Sequence, residues 1–541
     1  MRNTARRTAA AAAAAVALII AAAAGSGFLP PHGRQQAPGP GNRGWPLFGG
    51  DADNTRFSPL DQINTATAGR LRIAWTRAGG FGHVTWESFP VVVGGRMYVT
   101  TNTNAVWALN AATGAVQWTY TPRVDFSFAA SEQGSYFPAN RGVAVAGGRV
   151  YELTFDCHLL ALDAATGRPL WQVSVADPRN GYYETTAPAI WGGLVFAGSS
   201  GGDSGVRGFV AAYDGRTGRQ VWRRYTVPAP GHGWVPRGGH HGGGAVWMPP
   251  TVDASTGILY AGTGNPSPDF SGAMRPGADP YTDGIIALRA RTGQMLWFTS
   301  LVRHDVRDYD AASPVVLLRV RRNGVGARAV GEAGKSGRYY LLDAGTGQPL
   351  FAPVPFVPVR TPPPTRAGSV QCPGELGGSN YAPVAYSPRT HAAYVSAIRY
   401  CTVVYPAAPA EAASHRPGQP DLGGTVQPAE GAATGSFSAI DTSTGRVLWE
   451  RPMPAPMLGG ATATAGGLVF AGGANGILYG FDSRSGQIRW QRSLGAGFGS
   501  APVVYAIGGR EYLAVVSGGA AISAINQLGP VGARLVVFTL S

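Results

Sequence analysis

The sequence ALDAATGRPLW, residues 161–171, indicates the fold class because near copies of it recur along the 541-residue chain. Each copy has two small or apolar residues, a polar residue that is usually Asp, two variable residues, Thr-Gly or Ser-Gly, three variable residues and a terminal aromatic. Seven copies end at Trp118, Trp171, Trp222, Trp297, Phe351, Trp449 and Trp490. Such repetition, mostly at 41 to 54 residues, is typical of folds built from repeated units.

The local chemistry of the repeat predicts paired β-strands around a tight turn. The Asp side chain caps the turn backbone, and the glycine supplies a positive φ. Another strand pair precedes each copy, as in GGLVFAGGANGILYGFD at 466–482. Four strands in each repeat make a propeller blade. The terminal aromatic of each copy is expected to wedge between neighbouring sheets.

An eighth outer strand stands upstream of the first copy, in LRIAWT at 71–76. It lacks inner strands of its own, so we expect it to complete the blade built from 510–519 and 533–540. The predicted fold is all-β: an eight-bladed β-propeller with four-stranded blades over 45–541, closed by its N- and C-terminal strands. Two longer intervals, of 75 and 98 residues, predict large loops, and loops on a rigid ring are where binding sites are built.

The amino terminus has the pattern of an export signal. Three arginines among the first seven residues precede an apolar run from Ala9 to Ala24, which predicts a signal peptide or an uncleaved anchor over 1–24. Residues 25–44 are predicted to be a flexible linker. The folded part is therefore expected in the periplasm or outside the cell, with membrane attachment only through the N-terminal segment.

Charge and cysteines limit the partners. The net charge of +14 comes from scattered arginines without a basic run, which argues against nucleic-acid binding. An acidic electron-acceptor protein is a more natural partner for this surface. Only Cys157, Cys372 and Cys401 are present; an oxidising compartment would allow one pair of them to form a disulfide. No Cys-x-x-Cys-His motif for c-type haem occurs in the sequence.

Two features suggest a reactive site. In RHDVRDYDAAS, a strand-like segment would place Asp308 and Asp310 on one face, where paired carboxylates favour a hard, oxygen-seeking cation. The alternative is that both are solvated turn residues. Lys335, in GEAGKSG, is the only lysine beside 43 arginines, which suggests a position that requires a compact ammonium group.

The opening segment WPLFGGDADNTRFSPLDQINTATAGRLRIAWT, at 45–76, resembles that of the quinoprotein alcohol dehydrogenases, and the similarity continues to the carboxy terminus. Members of that family oxidise alcohols with pyrroloquinoline quinone (PQQ), bound beside Ca²⁺ or a lanthanide ion. The resemblance implies an alcohol as substrate and a soluble cytochrome c or similar protein as electron acceptor.

The resemblance also implies roles for individual residues. Asp308 matches the catalytic base, and Asp310 matches the extra carboxylate of the lanthanide-using branch. Asn265, in GTGNP, matches a metal ligand, and Asp203 stands where the family has a longer glutamate ligand. The metal set is thus Asp203, Asn265, Asp308 and Asp310. Lys335 matches the residue that contacts the reactive quinone oxygens.

Further positions match the family's cofactor pocket. Trp247 matches the tryptophan on which the quinone stacks. Glu87, Arg141 and Thr185 match residues that hydrogen-bond its carboxylates and carbonyls, and Asn380 matches another polar wall position. The family also places a disulfide at the positions of Cys372 and Cys401.

The sequence departs from the family at one conspicuous place. Family members have two adjacent cysteines that cover the second face of the cofactor, whereas this chain has Ser135 and Tyr136 there. Either Tyr136 or Phe137 takes over that contact, or the cofactor face is open. A His-rich turn with His232, His240 and His241 is a lid, a separate metal site or a solvated loop.

Three other functions are compatible with the sequence. A non-catalytic envelope scaffold would need the repeat but not the carboxylates, Trp247 or Lys335. A dehydrogenase for a polyol or polyvinyl alcohol would use the same site with different loops. A degenerate relative would have lost the cofactor.

Overall fold

The computed structural model describes a chain of β-strands and very little helix. The described residues are 41–79, 86–127, 138–235, 242–322, 325–412, 419–518 and 532–541. The predicted signal peptide and most of the predicted linker lie outside these ranges. Within them, no helix has the length and apolar character needed to cross a membrane.

The chain up to residue 355 contributes twenty-two strands in its described part, which pair mainly with their neighbours in sequence. They are β1 (Phe57–Ser58), β2 (Leu71–Ala78), β3 (Val91–Val93), β4 (Arg96–Thr100), β5 (Val106–Asn110), β6 (Val116–Tyr120), β7 (Ala144–Ala146), β8 (Arg149–Thr154), β9 (His158–Asp163), β10 (Pro169–Ser174), β11 (Ala189–Trp191), β12 (Leu194–Ala197), β13 (Phe209–Asp214), β14 (Gln220–Tyr225), β15 (Thr251–Asp253), β16 (Ile258–Gly262), β17 (Gly284–Arg289), β18 (Met295–Ser300), β19 (Val316–Arg322), β20 (Val325–Ala333), β21 (Arg338–Asp343) and β22 (Val354–Pro355).

The remaining strands lie in the longest interval between repeats, which also contains one short α-helix, and in the last two repeats and the C-terminal segment. They are β23 (Ser369–Gln371), β24 (Ala385–Ser387), β25 (Ala392–Arg399), β26 (Thr402–Pro406), β27 (Gly424–Pro428), β28 (Thr434–Asp441), β29 (Val447–Met453), β30 (Ala461–Thr464), β31 (Leu468–Gly472), β32 (Ile477–Asp482), β33 (Ile488–Ser493), β34 (Val503–Ile507), β35 (Arg510–Ser517) and β36 (Arg534–Leu540). The helix is α1 (Pro409–Ala412), and single 3-10 turns cover Ala68–Arg70, Pro178–Asn180 and Gly202–Ser204.

These strands form seven four-stranded sheets, one five-stranded sheet and one three-stranded sheet in the described part of the chain. The first strands of successive large sheets contact one another in the order β3, β7, β11, β15, β19, β24, β30 and β34. The predictions of an all-β fold and of four-stranded sheets are therefore confirmed.

The chain ends share one sheet, as the sequence predicts. Strand β2 pairs antiparallel with β36, and the sheet runs β2-β36-β35-β34. The backbone of Arg43, at the end of the predicted linker, pairs with Ala506 of β34, while Trp45 pairs with Val92 of β3. The opening segment therefore bridges the last sheet to the first.

The repeated turn has the predicted chemistry. In one copy, Oδ1 of Asp163 accepts hydrogen bonds from the backbone N–H groups of Ala165 and Thr166, at 3.1 and 2.9 Å. The terminal aromatic reaches the turn of the next sheet, where Nε1 of Trp118 donates to the carbonyl oxygen of Ala164 at 3.1 Å. The aromatic side chain thus ties each sheet to its neighbour, as expected from the sequence.

The glycine of this turn sets the spacing between sheets. At Gly347, where φ is +72°, a Cβ atom would stand 2.6 Å from Cε3 of Trp297. Gly508 has a similar φ of +58° but faces open space. We expect Gly508→Ala to destabilise the fold by about 1 kcal/mol, the cost of left-handed backbone alone. Gly347→Ala adds the clash with the indole, so this substitution should lower the free energy of unfolding by about 3 kcal/mol. Denaturant unfolding measures both, and equal losses would contradict the interlocking role of the tryptophan.

The longest interval between repeats is more ordered than the sequence suggests. From its length, the sequence predicts a large loop here. Instead, β23, β26 and β27 form a separate three-stranded sheet. The segment that follows α1 returns to the repeat-built core, where the N–H of Phe270 donates to the carbonyl oxygen of Leu422 at 2.8 Å. This insertion therefore reaches the predicted GTGNP site.

Candidate active site

Lys335 holds the two predicted carboxylates together. Its Nζ lies 2.6 Å from Oδ1 of Asp308 and 2.6 Å from Oδ2 of Asp310. Lys335 follows β20, and the two aspartates lie in the connection between β18 and β19. The sequence predicted their convergence correctly, and the charge between them in this structure is the ammonium group of the only lysine.

The path of the connection differs from the predicted strand. Residues 305–312 form no strand, and Asp308 has a left-handed backbone with φ +63°, a conformation that Asp tolerates better than most residues. The carboxylate of Asp305 shapes this turn by accepting the N–H groups of Arg307 and Tyr309, at 3.2 and 2.7 Å. The turn brings Asp308 and Asp310 to one ammonium group, where a strand would only have aligned them.

The electrostatics of this trio are those of buried charges. Burial raises the pKa of Asp308 well above its ordinary value, while the Lys335 ammonium lowers it and Asp310 raises it again. Burial alone would lower the pKa of Lys335, but the two carboxylates raise it well above the ordinary value. Lys335 therefore carries a firmly held proton.

Asn265 links Asp310 to a further carboxylate, that of Asp269. Its backbone N–H donates to Oδ1 of Asp310 at 2.8 Å, and its side-chain Nδ2 donates to Oδ1 of Asp269 at 2.8 Å. Burial, followed by the charge of Asp310, raises the pKa of Asp203 to about 6, while Lys335 and the side chain of Asn265 lower it. A Cβ at Gly264 would stand 2.6 Å from Oδ1 of Asp310, so this approach requires glycine. The structure thus brings all four predicted metal ligands together.

Two carboxylates at this site were missed by the sequence reasoning. Asp269 is buried, and burial followed by the charges of Asp203, Asp308 and Asp421 raises its pKa well above the ordinary value. Oδ2 of Asp421 accepts a hydrogen bond from Oγ of Ser267 at 3.0 Å. Asp269 stands four residues after Asn265, in GTGNPSPD at 262–269, and that proximity was the available signal. Asp421 comes from the long insertion, and no local pattern marks it.

The predicted cofactor-binding residues form an adjoining aromatic chamber. Arg141 pairs with Glu87 at 2.7 Å and donates to Oγ1 of Thr185 at 2.6 Å. Its guanidinium carbon lies 5.0 Å from the ring centre of Trp247 and 4.7 Å from that of Tyr381. Tyr381 was not singled out from the sequence.

The segment 377–381 joins this chamber to the carboxylates. Gly377 packs against Lys335, and a Cβ there would stand 2.5 Å from the lysine Cα. The N–H of Gly378 donates to the carbonyl oxygen of Lys335 at 2.8 Å. Asn380 is buried, and its Nδ2 donates to the carbonyl oxygen of Leu376 at 3.1 Å. The carboxylates around Lys335 and Asn265 and the aromatic chamber are therefore parts of one site.

Comparison with known proteins assigns the family. A family model described as the β-propeller domain of glucose, ethanol and alcohol dehydrogenases, with the short name PQQ, matches residues 45–361. The quinohemoprotein alcohol dehydrogenase of Comamonas testosteroni is 32% identical, over 90% of this chain and 75% of its own. The lanthanide-dependent methanol dehydrogenase of Methylacidiphilum fumariolicum is 32% identical, over 88% of this chain and 84% of its own. The chain belongs to the PQQ-dependent alcohol dehydrogenase family.

Solved structures agree with this assignment. A europium-containing methanol dehydrogenase superposes with a TM-score of 0.85 at 29% identity, covering 93% of this chain and 98% of its own. The Comamonas testosteroni enzyme gives a TM-score of 0.83 at 28% identity, covering 92% and 80%. A second family model, described as that of the outer membrane protein assembly factor BamB, matches residues 420–538. The quinoprotein alcohol dehydrogenase family recognised from the sequence is confirmed.

The donor chemistry suits the metal that this dehydrogenase family uses. Within the described ranges, no three His, Cys, Asp or Glu side chains surround a common point closely enough to hold a metal ion, and Lys335 lies between two of the carboxylates. Nevertheless, Asp308 and Asp310 share one ammonium group, whose charge also acts on Asp203 and Asp269, and such buried carboxylates need further positive charge. Because every donor is a carboxylate or amide oxygen, the site fits Ca²⁺ or a lanthanide ion rather than zinc.

The chamber suits a flat tricarboxylate such as the family's quinone. Arg141 Nε and Ser379 Oγ are buried and lack a hydrogen-bond partner in the part of the chain described by the structure. Buried donors without partners are costly, and the carboxylates of PQQ are acceptors of the kind that they lack. Trp247 retains a partly exposed ring, which offers a stacking surface. The residues present therefore fit the cofactor.

The remaining sequence predictions about this dehydrogenase concern cysteines and loops. Cys372 and Cys401 form a disulfide, as predicted, and Cys157 is a buried free thiol. Ser135, Tyr136, Phe137, His240 and His241 lie outside the described residues, so the covering of the second cofactor face remains a prediction. His232 is exposed in a turn.

Proposed function

We propose that this protein is an exported dehydrogenase that oxidises a small alcohol with PQQ and a metal ion, and passes the electrons to a separate cytochrome c. The proposal rests on one observation: Nζ of Lys335 lies 2.6 Å from a carboxylate oxygen of Asp308 and 2.6 Å from one of Asp310. This trio adjoins the aromatic chamber that contains Trp247. A scaffold protein has no use for buried charges of this cost.

Asp308 is the base in this proposal because it is the more accessible carboxylate. Its side chain is 17% exposed, whereas that of Asp310 is 5% exposed. When bound, PQQ supplies the acceptor for the hydride that leaves the alcohol carbon. Asp308 takes the hydroxyl proton of the alcohol. Lys335 opposes the effect of burial on the pKa of Asp308 and so favours the carboxylate form that a base requires.

The cofactor and metal ligands divide between the two parts of the site. Trp247 offers the stacking surface, while Glu87, Arg141, Thr185 and Asn380 provide polar contacts to the quinone. Asp203, Asn265, Asp308 and Asp310 are the proposed metal ligands. Asp310, which the lanthanide-using branch has and Ca²⁺ members generally lack, favours a lanthanide ion.

The proposed architecture is a closed ring of eight blades, made of the eight sheets with four or five strands. Successive first strands contact one another from β3 to β34, and residues 43–45 link β34 to β3. The proposed location is the periplasm or the cell exterior. The leader-like residues 1–24 and the disulfide support it, because disulfides persist in oxidising compartments.

The test is dye-linked alcohol oxidation by the purified full-length chain. PQQ is supplied with either Ca²⁺ or La³⁺, and the substrates are short primary alcohols, polyols and polyvinyl alcohol. We expect turnover that requires both cofactor and metal and is faster with La³⁺. In Asp310→Ala, the La³⁺ preference should fall by about tenfold, because the charge that favours a trivalent ion is lost. Turnover only with polyols or polyvinyl alcohol would reassign the substrate, and turnover without PQQ would contradict the proposal.

A further inference from the structure

We propose that Asp269 is a fifth metal ligand, which compensates for the short reach of Asp203 and adapts the site to a trivalent ion. This inference rests on the proposed metal site. It adds a residue that the family's ligand pattern does not include.

The first argument is the position of Asp269 beside Asn265. Oδ1 of Asp269 accepts a hydrogen bond from Nδ2 of Asn265 at 2.8 Å, and Asp269 is only 2% exposed. That amide belongs to a proposed metal ligand, so Asp269 lies directly beside the proposed metal site. Rotation of the amide exchanges its oxygen and nitrogen without changing its shape, which leaves the Asp269 carboxylate available to a cation.

The second argument is the length of Asp203. The family's ligand at this position is a glutamate, and aspartate is shorter by one methylene group. Asp421 links the two residues: its N–H donates to the carbonyl oxygen of Asp203, and its carboxylate accepts from Ser267, two residues before Asp269. The reach lost at Asp203 is thus replaced by the carboxylate that binds the Asn265 amide.

The third argument is charge. The four carboxylates proposed as ligands, Asp203, Asp269, Asp308 and Asp310, carry four negative charges when ionised, and Lys335 carries one positive charge. The net charge of these five residues, counting neither Asp421 nor the cofactor, is −3, which matches a trivalent lanthanide and exceeds the charge of Ca²⁺. Without Asp269 this net charge would be −2. Since unbalanced charge in a buried site is costly, Asp269 favours the trivalent ion.

The long insertion contacts residues on both sides of Asp269 in the sequence, Ser267 and Phe270. Ser267, two residues before Asp269, donates through Oγ to Oδ2 of Asp421 at 3.0 Å, and the N–H of Asp421 donates to the carbonyl oxygen of Asp203 at 2.5 Å. The N–H of Phe270 binds Leu422. One segment therefore fixes both the Asp203 and the Asp269 sides of the site, and Asp269 is held in place rather than free to turn away.

The experiment measures metal binding directly, on the full-length chain loaded with PQQ. Equilibrium dialysis gives the affinities for Tb³⁺ and Ca²⁺. Luminescence lifetimes of directly excited Tb³⁺ in H₂O and D₂O give the number of waters on the bound metal. The test variant is Asp269→Asn, which keeps the shape of the side chain. The control is Glu152→Gln, which neutralises a buried carboxylate of β8 that accepts a hydrogen bond from Asn140. Thermal unfolding checks that each variant is folded.

We expect Asp269→Asn to weaken Tb³⁺ binding by about 100-fold and Ca²⁺ binding by about tenfold. The bound Tb³⁺ should gain about one water, because an oxygen ligand is lost from a site that keeps its coordination number. Glu152→Gln should change neither quantity. Adding Asp203→Glu to Asp269→Asn should recover part of the affinity and expel the extra water.

Each other outcome has a definite meaning. Unchanged affinity and water count in Asp269→Asn would overturn the proposal. A loss of affinity without a change in water number would also overturn it, because Asp269 would then act by charge and not as a ligand. Failure of Asp203→Glu to restore binding would refute the compensation between the two residues. If the unsubstituted protein binds neither ion, the proposed metal site itself fails, and the inference fails with it.

Discussion

Asp308→Asn is expected to lower kcat for alcohol oxidation by about 10³-fold or more, because it removes the carboxylate that is proposed to take the hydroxyl proton. The substitution preserves the side-chain shape, and its amide oxygen still accepts from Lys335, which now lies 2.6 Å from Oδ1. PQQ binding should therefore change little. The measurement is steady-state turnover together with the amount of PQQ retained after desalting.

A matched control tests whether any Asp→Asn change would have the same effect. Asp441 caps a repeat turn by accepting the N–H groups of Ser443 and Thr444, both at 2.8 Å. Asn110 performs the same role in another copy, so Asp441→Asn should leave kcat unchanged. Turnover within tenfold of the unsubstituted enzyme in Asp308→Asn would remove Asp308 from its role as base.

Lys335→Met is expected to lower kcat by about 100-fold and to destabilise the fold by about 3 kcal/mol. The first effect follows from the loss of the cation beside the reacting groups. The second follows because Asp308 and Asp310 would remain buried without their shared partner. Turnover and denaturant unfolding measure the two effects separately.

Lys335→Arg separates charge from shape. The guanidinium retains the positive charge, so most of the stability should return. Its planar fork cannot place a single nitrogen 2.6 Å from both carboxylates as Nζ does. We therefore expect kcat to stay about tenfold below that of the unsubstituted enzyme. Full activity in Lys335→Arg would contradict the idea that this position requires a compact ammonium group.

The sequence predicted the fold well because the repeat is a local signal. Asp163 and Gly167 specify one turn through contacts within a few residues, and the same pattern returns in the other copies. The pairing of β2 with β36 was predicted because LRIAWT has the outer-strand pattern without inner strands before it. The three-stranded sheet of the long insertion was missed, because its Pro-rich sequence lacks the repeat.

The candidate site was predicted in composition but not in geometry. Lys335 was conspicuous as the only lysine, yet its position between two carboxylates depends on the left-handed turn at Asp308, which no spacing rule specifies. Asp421 reaches the site from an insertion more than 100 residues further along the chain. Tyr381 contacts Arg141 only after the sheets assemble. Such contacts arise from tertiary packing, and a local reading of the sequence does not contain them.

The most direct test of the central claim is the stoichiometry of PQQ and metal after reconstitution. The full-length chain is incubated with PQQ and La³⁺ or Ca²⁺ and desalted; PQQ is then quantified by absorbance and the metal by mass spectrometry. The site described above predicts about one PQQ and one metal ion per chain, and loss of PQQ retention in Trp247→Ala. No retained PQQ with either metal would contradict the account and leave the propeller without its proposed chemistry.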